Sequence, residues 1–270
     1  MKKIISLIVV VILFIECTTV PITGRKQFNI VKDENVLPAS FAQYKGFLEE
    51  NKLSNDIIAT GKIKDIGKNI SEAVDRFMRN NNMLEEANSY QWEFNLVEDK
   101  TINAWCLPGG KVVFYTGILP ICRNDDGVAA VMGHEIAHAF AKHGQERMSQ
   151  GQLKAIGGVA VALGTSGKDS ETQFIWNMAY GVGTGVGLLA FSRKHETEAD
   201  KLGLVFMIMA GYNGNEAAEV WVRMSENTGS KNSTPKILST HPSNEDRIKT
   251  LRAYLPEAKR LAEMYNAQNK

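Results

Sequence analysis

The chain has few cysteines, almost no net charge and no internal repeat period. Its three cysteines, Cys17, Cys106 and Cys122, do not make a disulfide framework, and none sits in a C-x-x-C pair. If Cys17 is modified, Cys106 and Cys122 remain the only possible intrachain pair. A formal charge of +1 leaves no basic footprint for nucleic acid and no acidic tail. Long apolar runs are also missing. Ile4 to Ile15 falls well short of the roughly 20 residues that a spanning helix requires. Phe174 to Phe191 is uncharged, but Gly181, Gly183, Gly185 and Gly187 would weaken a lone helix. With Gly151 to Gly167, that run reads as helices packed within the domain or a lid, with membrane contact as the alternative. What remains is a hydrophobic fraction of 44% in 270 residues, enough to bury one substantial core.

The N terminus has a signal-peptide layout: Lys2 and Lys3, then the apolar run, then Cys17. The placement resembles a bacterial lipoprotein signal, in which a lipid-modified cysteine becomes the first mature residue. Glu16 stands where that signal has a small residue, so an uncleaved anchor is the other reading. Thr18 after the cysteine fits transfer to an outer membrane. The organisation expected is therefore a signal segment over 1–17, a polar tether over 18–32 with Pro21 and Gly24, and one domain over 33–270.

Within that domain a helix is expected after Pro38, and a longer one capped by Ser54 carries Ile57, Ile58, Ile63, Ile66, Ile70, Val74 and Phe77 on its apolar face. Tyr90, Trp92, Phe94 and Leu96 alternate with polar residues, as in a half-buried strand. Thr101–Leu107 and Lys111–Thr116 flank Pro108, Gly109 and Gly110, which predicts a hairpin in a small antiparallel sheet. Such a sheet either serves structure alone or offers an edge to an extended peptide. The tail from Asn244 reads as two helical pieces divided near Pro256.

The chemistry is concentrated in Val131–His143, VMGHEIAHAFAKH, where His134, Glu135 and His138 form H-E-x-x-H on a helix expected to start at Asp125 or Asp126 and run past His143. Residues four apart share a helix face, so both imidazoles can converge on one metal ion, with zinc the natural candidate. Glu135 then falls where it can take a proton from water. His143 is excluded as third ligand: on a continuous helix it faces about 180° from His134, and it lacks the glycine-turned spacing of a metzincin. Downstream, SRKHETEADKLG places Glu196 and Asp200 four apart on another helix. Glu196 suits a third, anionic ligand and Asp200 a hydrogen-bond acceptor from a ligand histidine. Glu198 points elsewhere, and His195 lies about 100° around the helix from Glu196.

HEIAH followed by ETEAD resembles the gluzincin zinc metallopeptidases of the HtpX, BepA, LoiP and Oma type, related to the CAAX prenyl proteases, whose pattern is H-E-x-x-H then E-x-x-x-D. TVPITGRKQ after a candidate lipid cysteine is similar to the start of their bacterial lipoprotein members. NAWCLPGGKVVFYTGIL resembles their strand-turn-strand beside the cleft, and STHPSNEDRI their loop with His241, Pro242 and Arg247. The resemblance implies a mostly helical α+β zincin domain with a small antiparallel sheet beside the active-site helix, in the short form that lacks a repeat domain. It implies one zinc on His134, His138 and Glu196, and Glu135 as catalytic base. Asn103 and Ala104, with Gly109 and Gly110, would lie on the substrate-binding edge. His241 would either stabilise an oxyanion or occupy the fourth metal position, and Arg247 would neutralise the same oxyanion or orient Asp200. The activity implied is zinc endopeptidase action on unfolded or misassembled proteins of a bacterial envelope, the chain being held at a membrane by lipid or anchor. A chaperone-like binding factor with a self-inhibited metal site is the alternative.

Overall fold

A computed structural model describes residues 17–159, 191–227, 236–241 and 245–268. The expected signal segment before Cys17, nearly all of the Phe174–Phe191 run and the Pro242 turn lie outside the described residues. The chain opens on a hairpin of β1 (Cys17–Thr19) and β2 (Lys26–Phe28), followed by α1 (Asp33–Glu50), α2 (Ile57–Asn80) and α3 (Leu84–Ser89). Then come β3 (Glu93–Val97), β4 (Ala104–Leu107), β5 (Lys111–Tyr115) and a short α4 (Leu119–Cys122). The second half is helical: α5 (Asp125–Phe140), α6 (His143–Val159), α7 (Arg193–Met209), α8 (Glu216–Glu226), α9 (Ile237–Thr240) and α10 (Glu245–Ala267). Among the described residues no helix is long and apolar enough to cross a membrane.

The sheet has the order β3-β5-β4. The β4–β5 hairpin is antiparallel as its turn predicts, with Gly109 and Gly110 at φ of +80° and +85°, where a side chain would be strained. β3 pairs with β5 in parallel, so the sheet is mixed rather than wholly antiparallel. Central β5 is buried along its whole length because both faces are covered. Val112 and Phe114 join the main core, while Val113 and Tyr115 join Tyr44 and Phe47 of α1 in a smaller one. β4 is left as an edge of the sheet beside α5.

Several boundaries differ from the sequence reading. The first long helix starts at Asp33 and contains Pro38. The second is capped by the Asp56 carboxylate, which accepts from Ala59 N at 2.9 Å, and leaves Ile57 and Ile58 exposed at its open end. The tail is one helix that keeps Pro256 inside it. Part of the expected tether is folded: residues 17–28 form the hairpin, and Val20 is in the core. Cys106 and Cys122 are buried and free.

The crossing of α5 and α7 sets the position of everything that follows. The two helices touch backbone to backbone at Gly133 and Gly203. A Cβ on Gly203 would stand 2.7 Å from Gly133 C and His134 N, atoms that cannot swing away. In an ordinary helix Gly→Ala gains up to about 1 kcal/mol. Here the sign reverses: Gly203→Ala should destabilise by roughly 1–3 kcal/mol through overpacking. Urea unfolding would read this as a lower midpoint with unchanged slope, and a stabilised variant would show that the helices are not held this closely.

Candidate metal centre

The Asn124 side chain caps α5, accepting from Gly127 N at 2.8 Å, and the acidic first turn suits the helix N-terminus. Three turns on, His134, Glu135 and His138 are all buried. Ser192 caps α7, placing Glu196 in its first turn and Asp200 one turn later. His241 follows α9, which is tied back by the bond from Phe191 N to Thr240 O at 2.9 Å.

One nitrogen or oxygen from each of His134, His138, Glu196 and His241 lies within 4.8 Å of the others. His138 Nε2 is 3.1 Å from His134 Nε2, which is 3.2 Å from His241 Nδ1, and that atom is 3.0 Å from Glu196 Oε1. Glu196 Oε1 is 3.4 Å from His138 Nε2. Ligands at about 2.0–2.1 Å on a tetrahedral ion stand roughly 3.3 Å apart. The donor set therefore has zinc-site dimensions.

The protons give an independent test. His134 Nδ1 is 3.0 Å from Asp200 Oδ1, and an ionised carboxylate only accepts, so the ring proton is on Nδ1. His138 Nδ1 is 3.0 Å from His143 Nδ1, and His143 Nε2 is 2.9 Å from Glu198 Oε2. Glu198 accepts a hydrogen bond from His143 Nε2–H, so His143 Nδ1 accepts from His138 Nδ1. Both facing Nε2 atoms then present lone pairs to one another, an arrangement a cation stabilises. Burial holds His138 well below the ordinary histidine value and burial pushes His143 down to about 4, so both rings are neutral near pH 7.

Charge points the same way. Burial opposes the Glu196 carboxylate, yet His241 and Arg247 hold it well below the usual range. Asp200 is likewise depressed, Arg247 outweighing burial. Burial raises Glu135, whose Oε1 has no hydrogen-bond partner among the described residues and lies 3.7 Å from His241 Nε2. Burial works against protonation of His241, but Glu196 and Glu135 raise it overall. The cluster therefore favours the anionic forms of Glu196 and Asp200, the form in which Glu196 can hold a cation.

Arg247 donates to Asp200 through Nε at 2.8 Å and Nη2 at 2.7 Å, and its Nη1 lies 2.9 Å from Glu196 Oε2. The guanidinium also lies 3.7 Å from the centre of the Trp221 ring. These bonds reach Asp200, the contact that the orienting role would use. Asn103 and Ala104 lead into edge strand β4, and both are buried. Gly109 and Gly110 form the hairpin turn, where a Cβ would meet Phe41 and Trp92 at 2.5 Å. None of these four has a hydrogen bond or ion pair to the cluster among the described residues.

The sequence reading missed the second half of the polar core. α5 ends at Phe140 because Lys142 takes φ +53°, so His143 starts a new helix and turns back to His138 instead of facing away. It stays outside the four-donor cluster, but not for the expected reason. Glu198, expected to point elsewhere, accepts from His143 and from Arg25 Nε at 2.6 Å. His195 stacks on His143 and bonds Glu146. Gly144, two residues after Lys142, was the one residue type nearby that marks a break.

The model of peptidase family M48 matches residues 67–255 of this chain. Mitochondrial metalloendopeptidase OMA1 of Schizosaccharomyces pombe is 40% identical over 172 residues, 62% of this chain and 48% of that protein. The protein of the same name from Saccharomyces cerevisiae is 35% identical over 208 residues, 75% of this chain and 57% of its own length. The beta-barrel assembly-enhancing protease of Escherichia coli is 26% identical over 175 residues, 62% of this chain and 35% of that protein. The chain thus spans about half the length of the mitochondrial relatives and about a third of the bacterial one.

Proposed function

The chain belongs to peptidase family M48, and from that premise we propose that it is a zinc-dependent endopeptidase acting on unfolded or misassembled proteins. The observation that carries this reading is the pair of Nε2 atoms of His134 and His138, 3.1 Å apart, beside buried Glu196 and Glu135. His134, His138 and Glu196 would hold the ion. When bound, zinc supplies Lewis acidity, polarising a peptide carbonyl and making water easier to deprotonate. Glu135 accepts the proton of the attacking water and returns it to the leaving amine. Asp200 and His143 keep the two ligand imidazoles in the tautomer that leaves Nε2 free. Edge strand β4, entered through Asn103 and Ala104, can take an extended substrate by backbone pairing, which tolerates any side chain and so suits unfolded chains.

His241 favours a second reading. Its Nδ1 stands at the fourth corner of the cluster, so it can occupy the position a substrate needs, giving a self-inhibited or chaperone-like factor. Metal analysis of the purified chain should give one zinc per molecule, lost in His134→Ala and in Glu196→Ala. Chelator-sensitive cleavage of an unfolded protein supports the endopeptidase. Stoichiometric zinc without cleavage, even in His241→Ala, leaves the binding factor standing.

The placement proposed is a bacterial envelope, with the chain held at a membrane through lipidated Cys17 or an uncleaved anchor. Lys2, Lys3 and the Ile4–Ile15 run support it. Metabolic labelling with palmitate that is lost in Cys17→Ser supports the lipid form. Membrane retention without label supports the anchor.

A further inference from the structure

We propose that Arg25, in the turn of the N-terminal hairpin, is a positioning residue for the metal centre, acting on His138 through Glu198 and His143. The inference rests on reading the four-donor cluster as a metal site. Arg25 Nε donates to Glu198 Oε2 at 2.6 Å, and the Thr23 hydroxyl donates to Glu198 Oε1. The rest of the guanidinium forks onto Glu146, Nη1 to Oε1 at 3.0 Å and Nη2 to Oε2 at 2.8 Å. One planar cation thereby fixes two buried carboxylates from different helices.

The consequence passes inward by hydrogen-bond bookkeeping. Glu198, held as an anion by two donors on its outer side, offers His143 Nε2 only acceptor oxygen at 2.9 Å. His143 therefore presents a bare Nδ1 to His138, 3.0 Å away, and His138 must keep its proton on Nδ1. Its Nε2 lone pair then faces the cluster. Glu146 supports the ring from the side, bonding His195 at 3.1 Å, and His195 stacks on His143 with centroids 4.5 Å apart. The hairpin that carries Arg25 is seated on the domain by Val20, and the chain beyond it by Ile30 N and Val31 N, which donate to Ser149 Oγ. Without Arg25, Glu198 loses a donor that aims its carboxylate at His143 and can turn away. His143 is then free to flip tautomer, and the orientation of one metal ligand is lost. Partners of this kind change metal affinity by about 10–100-fold.

The test uses the purified full chain loaded with zinc or cobalt, and measures metal affinity by chelator competition and the cobalt absorption spectrum. Arg25→Ala should weaken binding by roughly tenfold or more and alter the spectrum. Thr23→Val, which keeps the cation, should give a smaller loss in the same direction. Arg79→Ala, which breaks only exposed bonds to Asp75 and Asn88, should leave both readouts unchanged. The deciding comparison is the double variant. In a His143→Ala background Arg25→Ala should cost little further affinity, because the relay is already cut. An equal loss in both backgrounds would show general loosening and overturn the proposal, as would wild-type affinity and spectrum in folded Arg25→Ala and Thr23→Val. If wild type binds no more metal than His134→Ala, the metal-site reading itself falls, and this inference with it.

Discussion

Glu135→Gln should lower turnover of an unfolded protein substrate by about 10²–10⁴-fold while leaving the metal content of the chain unchanged. Glu135 sits next to His134 on α5, yet it is not one of the four clustered donors. Its carboxylate is buried, and Oε1 has no hydrogen-bond partner among the described residues, so nothing else claims the oxygen that would receive the proton. Burial raises its proton affinity above that of an exposed carboxylate, which favours it as the acceptor of a proton. Glutamine keeps the volume and one carbonyl oxygen but cannot hold a transferred proton. Fold and ligands should therefore survive, and the loss should fall on kcat more than on KM. Metal analysis beside a cleavage time course separates the cases. A metal-loaded variant cleaving within a few-fold of wild type would remove Glu135 from the mechanism, whereas loss of metal would make it a ligand or a structural support.

The legible parts of this site are those whose spacing is a helical period. His134 with His138, and Glu196 with Asp200, were readable because residues four apart share a face whatever the surroundings. The hairpin was readable because Gly109 and Gly110 mark a turn that other residues resist. The parallel pairing of β3 was not, since Tyr90–Leu96 has the same alternation whichever direction its partner runs. His143 was misread because one left-handed residue, Lys142, ends the helix, and lysine carries no sign of that conformation. Arg25 was out of reach for another reason. It lies 121 and 173 residues from the glutamates it binds, and a short polar segment near a terminus has the composition of a tether. The hairpin is held by Val20, Ile22, the Thr23 hydroxyl and the Arg25 guanidinium, a set that leaves no periodic trace. The candidate donors His134, His138 and Glu196 are announced by local spacing, whereas the contacts that Arg25 makes are not.

Arg247→Ala should be the most destabilising single change at the centre, costing about 3–5 kcal/mol. Two buried carboxylates, Asp200 and Glu196, depend on this one guanidinium, and it is buried with them, packed on Trp221. Truncation leaves both anions without their cation in a region water does not reach, which is costlier than the pair is worth as a net contribution. Arg247→Lys should recover only part of the loss, because an ammonium cannot make the two parallel bonds to Asp200 while reaching Glu196. Asp200→Asn in the Arg247→Ala background should restore some stability by removing one stranded charge, a coupling of roughly 0.5–3 kcal/mol. The measurement is urea unfolding of each variant in metal-free and zinc-loaded protein. In the metal-free chain Arg247 is the only fixed positive charge within hydrogen-bonding distance of these carboxylates among the described residues, so the penalty should be largest there. Zinc should repay part of it by neutralising Glu196. A penalty confined to the zinc-loaded protein would mean that Arg247 acts on the ion and not on the carboxylates, and the oxyanion role would then replace the orienting one.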